Sequence, residues 1–238
     1  MSVELFGKKY DIYTQTLDLN NNQITHISDS LSNLTSLQYL YLNNNRITII
    51  PDSLNNLISL QKLTLSNNEI THIPDSLGSL TSLQKLFLYD NQIKYIPNSL
   101  SNLTSLRKLY LDGNKITYIP NSLSNLTSLR ALYLDGNKIT YIPDSLSNLT
   151  SLRTLNLYNN QIKEIPISLV NLRNLIIFSI FDNPIENTHS IIQRFLNRMN
   201  NIGYNIHNIY KDGQNVHTSS IQQSVKDSII RILSLKNY

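Results

Sequence analysis

Leu106-Arg-Lys-Leu-Tyr-Leu-Asp-Gly-Asn114-Lys-Ile-Thr-Tyr-Ile-Pro120-Asn-Ser-Leu-Ser-Asn-Leu-Thr-Ser128 is one turn of a pattern that runs through most of this chain. Its Asn114 belongs to a series, Asn22, Asn45, Asn68, Asn91, Asn114, Asn137, Asn160 and Asn183, spaced 23 residues apart without a slip. Each of these asparagines sits in the same frame, Leu-x-x-Leu-x-Leu-x-x-Asn-x-Ile-x-x-Ile-Pro-x-Ser-Leu-x-x-Leu-x-x. A fixed period of this length predicts a stacked solenoid, not a globule around one central core.

Leu106, Leu109, Leu111, Ile116, Ile119, Leu123 and Leu126 are the apolar positions of the unit. One unit cannot bury seven such side chains; stacked units can, in a continuous column. The Leu109-x-Leu111 alternation predicts a short strand with its other side chains outward. Pro120 ends any strand, because it lacks an N–H and fixes φ. Asn121 or Ser122 is then placed to cap a helical turn through Leu123 and Leu126. Successive strands lie parallel, about 4.8 Å apart. The recurring asparagine marks where the chain turns inward and buries backbone groups that have no ladder partner. An amide both donates and accepts, so stacked asparagines form a ladder that satisfies those groups.

The frame resembles the leucine-rich repeat family over eight units, from about Thr14 to Pro184. Its Ile-Pro-x-Ser-Leu segment is similar to the intracellular Ras-associated type of repeat. The resemblance implies an α/β solenoid: a horseshoe with a concave parallel sheet and short helical or 3-10 segments on the convex side. It also implies protein–protein recognition. Thr14 and Ser28 in the first unit, and Ile180 and Pro184 in the last, depart from the consensus and mark the edges of the array. The expected organisation is an N-terminal cap over 1–13, a solenoid over 14–184 and a helical cap or tail over 185–238.

The chain has no cysteine. Disulfide-closed ends are therefore excluded, which favours a reducing compartment. The first residues lack the apolar run of a signal peptide, and no segment has the ~18 apolar residues of a membrane span. Asn33, Asn102, Asn125 and Asn148 stand in Asn-Leu-Thr acceptor patterns, read here as repeat consensus. The abundance of Asn, Ile, Tyr and Lys indicates an AT-rich genome, similar to those of large DNA viruses of amoebae or of some protists. The expected localisation is cytoplasmic, in the host cytoplasm for a viral protein. Residues 1–183 carry 14 Lys/Arg and 13 Asp/Glu, and residues 184–238 carry 6 and 3, so the excess positive charge lies in the tail.

That tail departs from the repeat. Ile191, Ile192, Phe195, Leu196 and Met199 follow Thr188 at helical spacing, and Gly203 is a stop signal. Tyr204–Tyr210 reads as a short extended piece ended by Asp212-Gly213. Ser219 to Gln222 reads as a capping box opening a second amphipathic helix with Ile221, Val225, Ile229 and Ile232 on one side. The segment is either a cap over the last unit's open core or the remnant of a fused effector domain. At the other end, Leu5, Phe6 and Ile12 are expected to cover the first unit.

Outward strand positions form columns across units. The central column is Asp18, Tyr41, Thr64, Phe87, Tyr110, Tyr133, Asn156 and Ser179. Beside it run Arg107, Arg130 and Arg153, and on its other side Tyr89, Asp112, Asp135 and Tyr158. Eight strands span ~34 Å, the length of a standard protein interface. Tyr and Arg are the commonest interface hot spots. The partner-binding set is therefore Tyr41, Phe87, Tyr89, Arg107, Tyr110, Asp112, Arg130, Tyr133, Asp135, Arg153 and Tyr158. The tyrosines are expected to be exposed anchors, the arginines forked donors and the aspartates acceptors. The competing reading is that the rings stack on one another and shield the sheet. A rim column, His26, Ile49, His72, Tyr95, Tyr118, Tyr141 and Glu164, is read as structural, with rings packed and hydroxyls wet.

Other chemistry is set aside. Asp112-Gly-Asn-Lys and Asp135-Gly-Asn-Lys lack the glutamate of a calcium loop. His26 and His72 lie two units apart, ~10 Å, too far to share a zinc ion. No P-loop or Gly-x-Ser-x-Gly occurs, and a thiolate ligase is excluded by the absence of cysteine. The outward strand positions carry both signs, whereas a phosphate-binding face carries one. No metal or cofactor is expected. The expected function is non-catalytic recognition of a protein partner on the concave face; the alternative is an adaptor whose tail docks an effector, such as a ubiquitin ligase or a signalling complex.

Overall fold

The computed structural model describes residues 2–186 and 188–201. The chain starts with an antiparallel hairpin, β1 (Ser2–Leu5) and β2 (Lys8–Asp11). Eight three-residue strands follow: β3 (Thr16–Asp18), β4 (Tyr39–Tyr41), β5 (Lys62–Thr64), β6 (Lys85–Phe87), β7 (Lys108–Tyr110), β8 (Ala131–Tyr133), β9 (Thr154–Asn156) and β10 (Ile177–Ser179). They form one parallel sheet in chain order, and every pairing joins residues 23 apart, such as Leu86↔Leu109↔Leu132. Each strand except β10 is followed by a five-residue 3-10 turn, Asn121–Asn125 in the unit quoted above. The sheet is the concave layer and the turns the convex one.

The seven apolar positions of the unit fill the space between these layers. Leu106, Leu109, Leu111, Ile116, Ile119, Leu123 and Leu126 are all fully buried, in one core that runs the length of the sheet. Strands this short are stable here because both neighbours supply ladder partners and the Leu/Ile column lies beneath them.

The 3-10 turns are not capped as expected. In six of the seven, a proline occupies the N-cap and makes no side-chain cap bond; only Ser28, in the first, accepts from the Ser30 N–H. Proline has no side-chain oxygen to offer. The Asn121 and Ser122 side chains instead bridge units: Ser122 Oγ donates to Asn98 Oδ1 (2.7 Å), and Ser145 Oγ donates to Asn121 Oδ1 (3.0 Å). The same bond recurs from Ser53 to Asp29 and from Ser168 to Asp144, giving the convex side a hydrogen-bonded row of its own.

At the first end, Val3 and Leu5 of the hairpin join the core and Ile12 packs against it, but Phe6 stays exposed. Phe6 and Gly7 form the hairpin turn with positive φ (51° and 74°), which directs the Phe6 side chain away from the core. At the other end, helix α1 (Ser190–Asn201) packs on the last 3-10 turn and buries Ile192, Phe195, Leu196 and Met199. Phe195 meets Phe178 of β10 at 5.8 Å between ring centroids. Ile191 is left exposed. The expected stop at Gly203, the extended piece at 204–210 and the second helix from Ser219 lie outside the described residues. No helix among the described residues is long and apolar enough to cross a membrane.

Candidate functional site: the concave face

Parallel pairing in strict register turns the sequence columns into rows of touching side chains. Thr64, Phe87, Tyr110 and Tyr133 are consecutive Cα partners across β5 to β8. The Phe87 and Tyr110 rings stack at 4.6 Å with planes 17° apart, and Tyr110 and Tyr133 at 4.3 Å and 9°. The strand spacing and the stacking distance of aromatic rings nearly coincide, so each ring covers the next.

This arrangement corrects the expected exposure of the aromatic column. Tyr110 is 2% exposed, and Phe87 and Tyr133 are 5%. With Ala131 they form a second apolar cluster on the open side of the sheet, against which the half-buried Tyr89 packs. Burial pushes the phenol pKa of both Tyr110 and Tyr133 up, most strongly for Tyr110. Tyr41 is half-buried at one side of the ribbon, and Tyr158 lies beyond the other, 41% exposed. The rim tyrosines are more exposed: Tyr95, Tyr118 and Tyr141 are 40–51% exposed.

The charged rows flank the ribbon. Arg107, Arg130 and Arg153 are exposed beside its strand-entry side. Lys62, Lys85 and Lys108, in register on β5 to β7, are half-buried between the arginine row and the rings. None of these six cations makes an ion pair among the described residues. Burial lowers the Lys62 and Lys108 pKa values, and the neighbouring Lys85 charge lowers both further. Lys62 Nζ stands 4.8 Å from the Tyr41 ring centroid and 5.5 Å from that of Phe87. On the strand-exit side, Asp112 is buried and Asp135 accepts from Asn156 Nδ2 (2.8 Å). Tyr158 hydrogen-bonds Asp182, which raises its pKa. The face is thus basic along one side, apolar in the middle and acidic along the other.

The asparagine row lies beneath the exit side. Asn114 Nδ2 donates to the Leu88 and Leu111 carbonyls (both 3.0 Å), and its Oδ1 accepts from the Ile93 N–H (2.9 Å). Asn45, Asn68, Asn91, Asn137, Asn160 and Asn183 repeat this pattern toward the preceding unit and are all buried. Asn22 differs: it is exposed and its amide donates to the nearby Asn20 carbonyl, because no earlier unit presents a carbonyl to it. In the last unit Pro184 follows the asparagine, and the Ile185 N–H closes on the Asn183 carbonyl (2.8 Å).

Two features escaped the sequence reading. The residue before each ladder asparagine is a left-handed turn. Asn21, Asn44, Asn67, Asp90, Gly113, Gly136, Asn159 and Asp182 all have φ between 51° and 65°. Only Asn, Asp and Gly occur there, the residues that tolerate this region, and that restriction was visible in the column. The same requirement explains the Asp-Gly-Asn segments without calcium. The second feature is Thr64 and Ser66. Both are buried (4% and 0% exposed), and their hydroxyl oxygens have no hydrogen-bond partner among the described residues. The visible signal was a break in the aromatic column between Tyr41 and Phe87. His26 is exposed and His72 half-buried, and they contact the hydroxyls of Thr25 and Thr71; no described cluster of His, Asp and Glu is placed to hold a metal ion.

The profile of the leucine-rich repeat region matches residues 13–135, and single leucine-rich repeats match 128–149 and 151–172. This chain belongs to the leucine-rich repeat family. Its fold is similar to that of a leucine-rich repeat protein of Leptospira interrogans: TM-score 0.73, 33% identity, covering 78% of this chain and 46% of that one. It is also similar to the ectodomain of the Arabidopsis thaliana receptor kinase GASSHO1/SCHENGEN3, solved in complex with Casparian strip integrity factor 2: TM-score 0.68, 33% identity, covering 75% and 22%. The plant peptide hormone receptor RGFR1, in complex with RGF2, gives 0.63 and 34%, covering 67% and 26%. The chain thus spans less than half the length of each of these proteins. No curated protein matches the sequence.

Proposed function

We propose that this chain is a non-catalytic recognition module that binds a protein partner on its concave face, over β6 to β9. The carrying observation is the pairing of a rigid floor with free polar reach: Phe87, Tyr110 and Tyr133 are locked by stacking, and Arg107, Arg130 and Arg153 stand exposed and unpaired beside them. A floor that is already ordered loses little entropy on binding, and guanidiniums supply forked donors at its edge. The tyrosines, 2% and 5% exposed, stiffen the face beneath the charged rows and are not anchors that insert into the partner. The plant receptors of similar fold, solved in complex with Casparian strip integrity factor 2 and with RGF2, support the same class of ligand.

The test is capture from a cell lysate with the whole chain and with Arg107→Ala/Arg130→Ala/Arg153→Ala, read by mass spectrometry. Exposed arginines can be removed without disturbing the core, so the variant keeps its melting temperature. A protein captured by the whole chain and absent with the variant supports the concave face. Identical capture by both overturns it and turns attention to the rim tyrosines and the tail.

A further inference from the structure

The aromatic row is interrupted at β5, and the gap has a chemistry of its own. Thr64 occupies the ring position between Tyr41 and Phe87. Those two residues are two strands apart, ~9.6 Å. Lys62 Nζ lies 4.8 Å from one ring centroid and 5.5 Å from the other, so the ammonium stands about midway, over Thr64. Ser66, two residues on, faces the same side of the sheet by strand alternation.

Two observations make this gap unusual. First, three lysines in adjacent register, Lys62, Lys85 and Lys108, hold like charges one strand spacing apart, half-buried, with no carboxylate in ion-pair reach among the described residues. Surface lysines are flexible and ordinarily diverge into water; these are confined between the rings and the arginine row. Second, the Thr64 and Ser66 hydroxyls are buried without a hydrogen-bond partner among the described residues. A buried unsatisfied hydroxyl is destabilising, whereas an apolar residue of the same shape would not be. Both features cost stability in the free chain, and a single anion in the gap relieves both.

We infer that the gap over Thr64 and Ser66 is a carboxylate-binding notch: the Lys62 side chain, which covers it in the free chain, swings aside, and the Lys62 and Lys85 ammonium groups and the two uncovered hydroxyls receive an acidic side chain of an extended partner segment. This rests on the concave-face reading and adds the chemistry of the partner to it. The lysine and arginine rows continue the positive edge for further acidic residues along the same segment. The acidic exit side repels a partner docked in the reverse orientation, so the two sides together select one. An extended nucleic acid fits less well, since its phosphates would run along Asp90, Asp112 and Asp135 as well as the basic side.

The experiment uses the whole chain and a short fluorescein-labelled peptide of alternating glutamate and threonine, read by anisotropy. The same peptide with glutamine for glutamate, and an oligothymidylate of equal charge, are the comparisons. The expected result is binding of the glutamate peptide alone among the three. Lys62→Gln/Lys85→Gln weakens it about tenfold. Thr64→Val/Ser66→Ala weakens it about threefold while holding or raising the melting temperature, an outcome that a purely structural role for the hydroxyls would not give.

Absence of glutamate-peptide binding, equal binding of the glutamine peptide, or wild-type affinity in both notch variants overturns the notch. Tighter binding of the oligothymidylate also overturns it, in favour of general attraction for polyanions. The arginine variant used for partner capture separates the two levels: capture lost in that variant with no glutamate-peptide binding leaves the concave face standing and removes the carboxylate. Glutamate-peptide affinity unchanged by Lys115→Gln/Lys138→Gln, which removes two exposed lysines outside the face, shows that the loss is local rather than a matter of net charge.

Discussion

Tyr110 and Tyr133, 23 residues apart in sequence, stack with ring centroids 4.3 Å apart and planes within 9°. Side chains on the open face of the sheet thereby bury each other, without any contribution from the Leu/Ile core on the far side. Removing one ring uncovers its neighbours as well. Tyr110→Ala should therefore cost about 3 kcal/mol, comparable with a core aromatic. Tyr110→Phe should cost well under half of that. Urea denaturation of the three proteins checks this, and near-wild-type stability of the alanine variant would show that the stack contributes little.

Alkaline pH provides an independent probe of the same rings. Burial raises the Tyr110 and Tyr133 pKa values, so the unfolded chain ionises these phenols first. Their contribution is intact below the ordinary tyrosine value of about 10 and is lost as pH rises above it. The lowered Lys62 and Lys108 values act in the opposite sense, since their unfavourable burial is relieved as they deprotonate. The Tyr110 shift is the largest of the four, so stability should fall as pH rises above about 10. Tyr110→Phe should flatten that fall. A urea midpoint that climbs over this range would show the lysines to dominate.

The asparagine row should be graded by position. Asn114 satisfies three carbonyls and one N–H inside the solenoid, and its alanine variant should lose about 1–3 kcal/mol. Asn22 holds the same place in the frame but is exposed, and Asn22→Ala should fall within about 0.5 kcal/mol of wild type. Equal losses at the two positions would contradict the bonding described. Thermal melts of both variants make the comparison.

Gly136 has φ of 64°, with no neighbouring atom closer than 3.5 Å to where a Cβ would stand. Space is therefore not the constraint; backbone conformation is. Gly136→Asn should be nearly neutral, because asparagine already occupies the equivalent turn at Asn44, Asn67 and Asn159. Gly136→Val should cost about 1–2 kcal/mol, the penalty of a Cβ in the left-handed region. If both variants melt alike, the turn is not the determinant.

The period, the strand positions, the strand register and the sites of the ladder asparagines were all legible, because each depends on residue type and spacing alone. The tyrosine burial was not. Tyr110 is apolar in bulk and placed on an outward position, and its exposure depends on whether the same position one unit away carries another flat ring. Thr64 illustrates the reverse: a small residue in that column leaves rings apart and opens a gap. Neighbouring-unit identity, read along a column rather than along the chain, was the missing variable. The convex row from Ser122 to Asn98 was missed for a related reason. An Asn or Asp followed by Ser after proline satisfies the local pattern of a cap, and only the stacking of units shows the bond to run between units rather than within one. The Phe6 assignment failed because hydrophobicity alone does not report a turn with positive φ.

Each buried ladder asparagine serves the unit before it, never the one after: Ile93 waits on Asn114, Ile116 on Asn137, Ile139 on Asn160. The array therefore has a direction. A unit leaving the ribosome lacks its own acceptor until the next asparagine, one period later, has been synthesised. Ordering during translation should trail chain growth by one repeat, and the local Ile185 to Asn183 closure is what lets the sequence of dependencies stop.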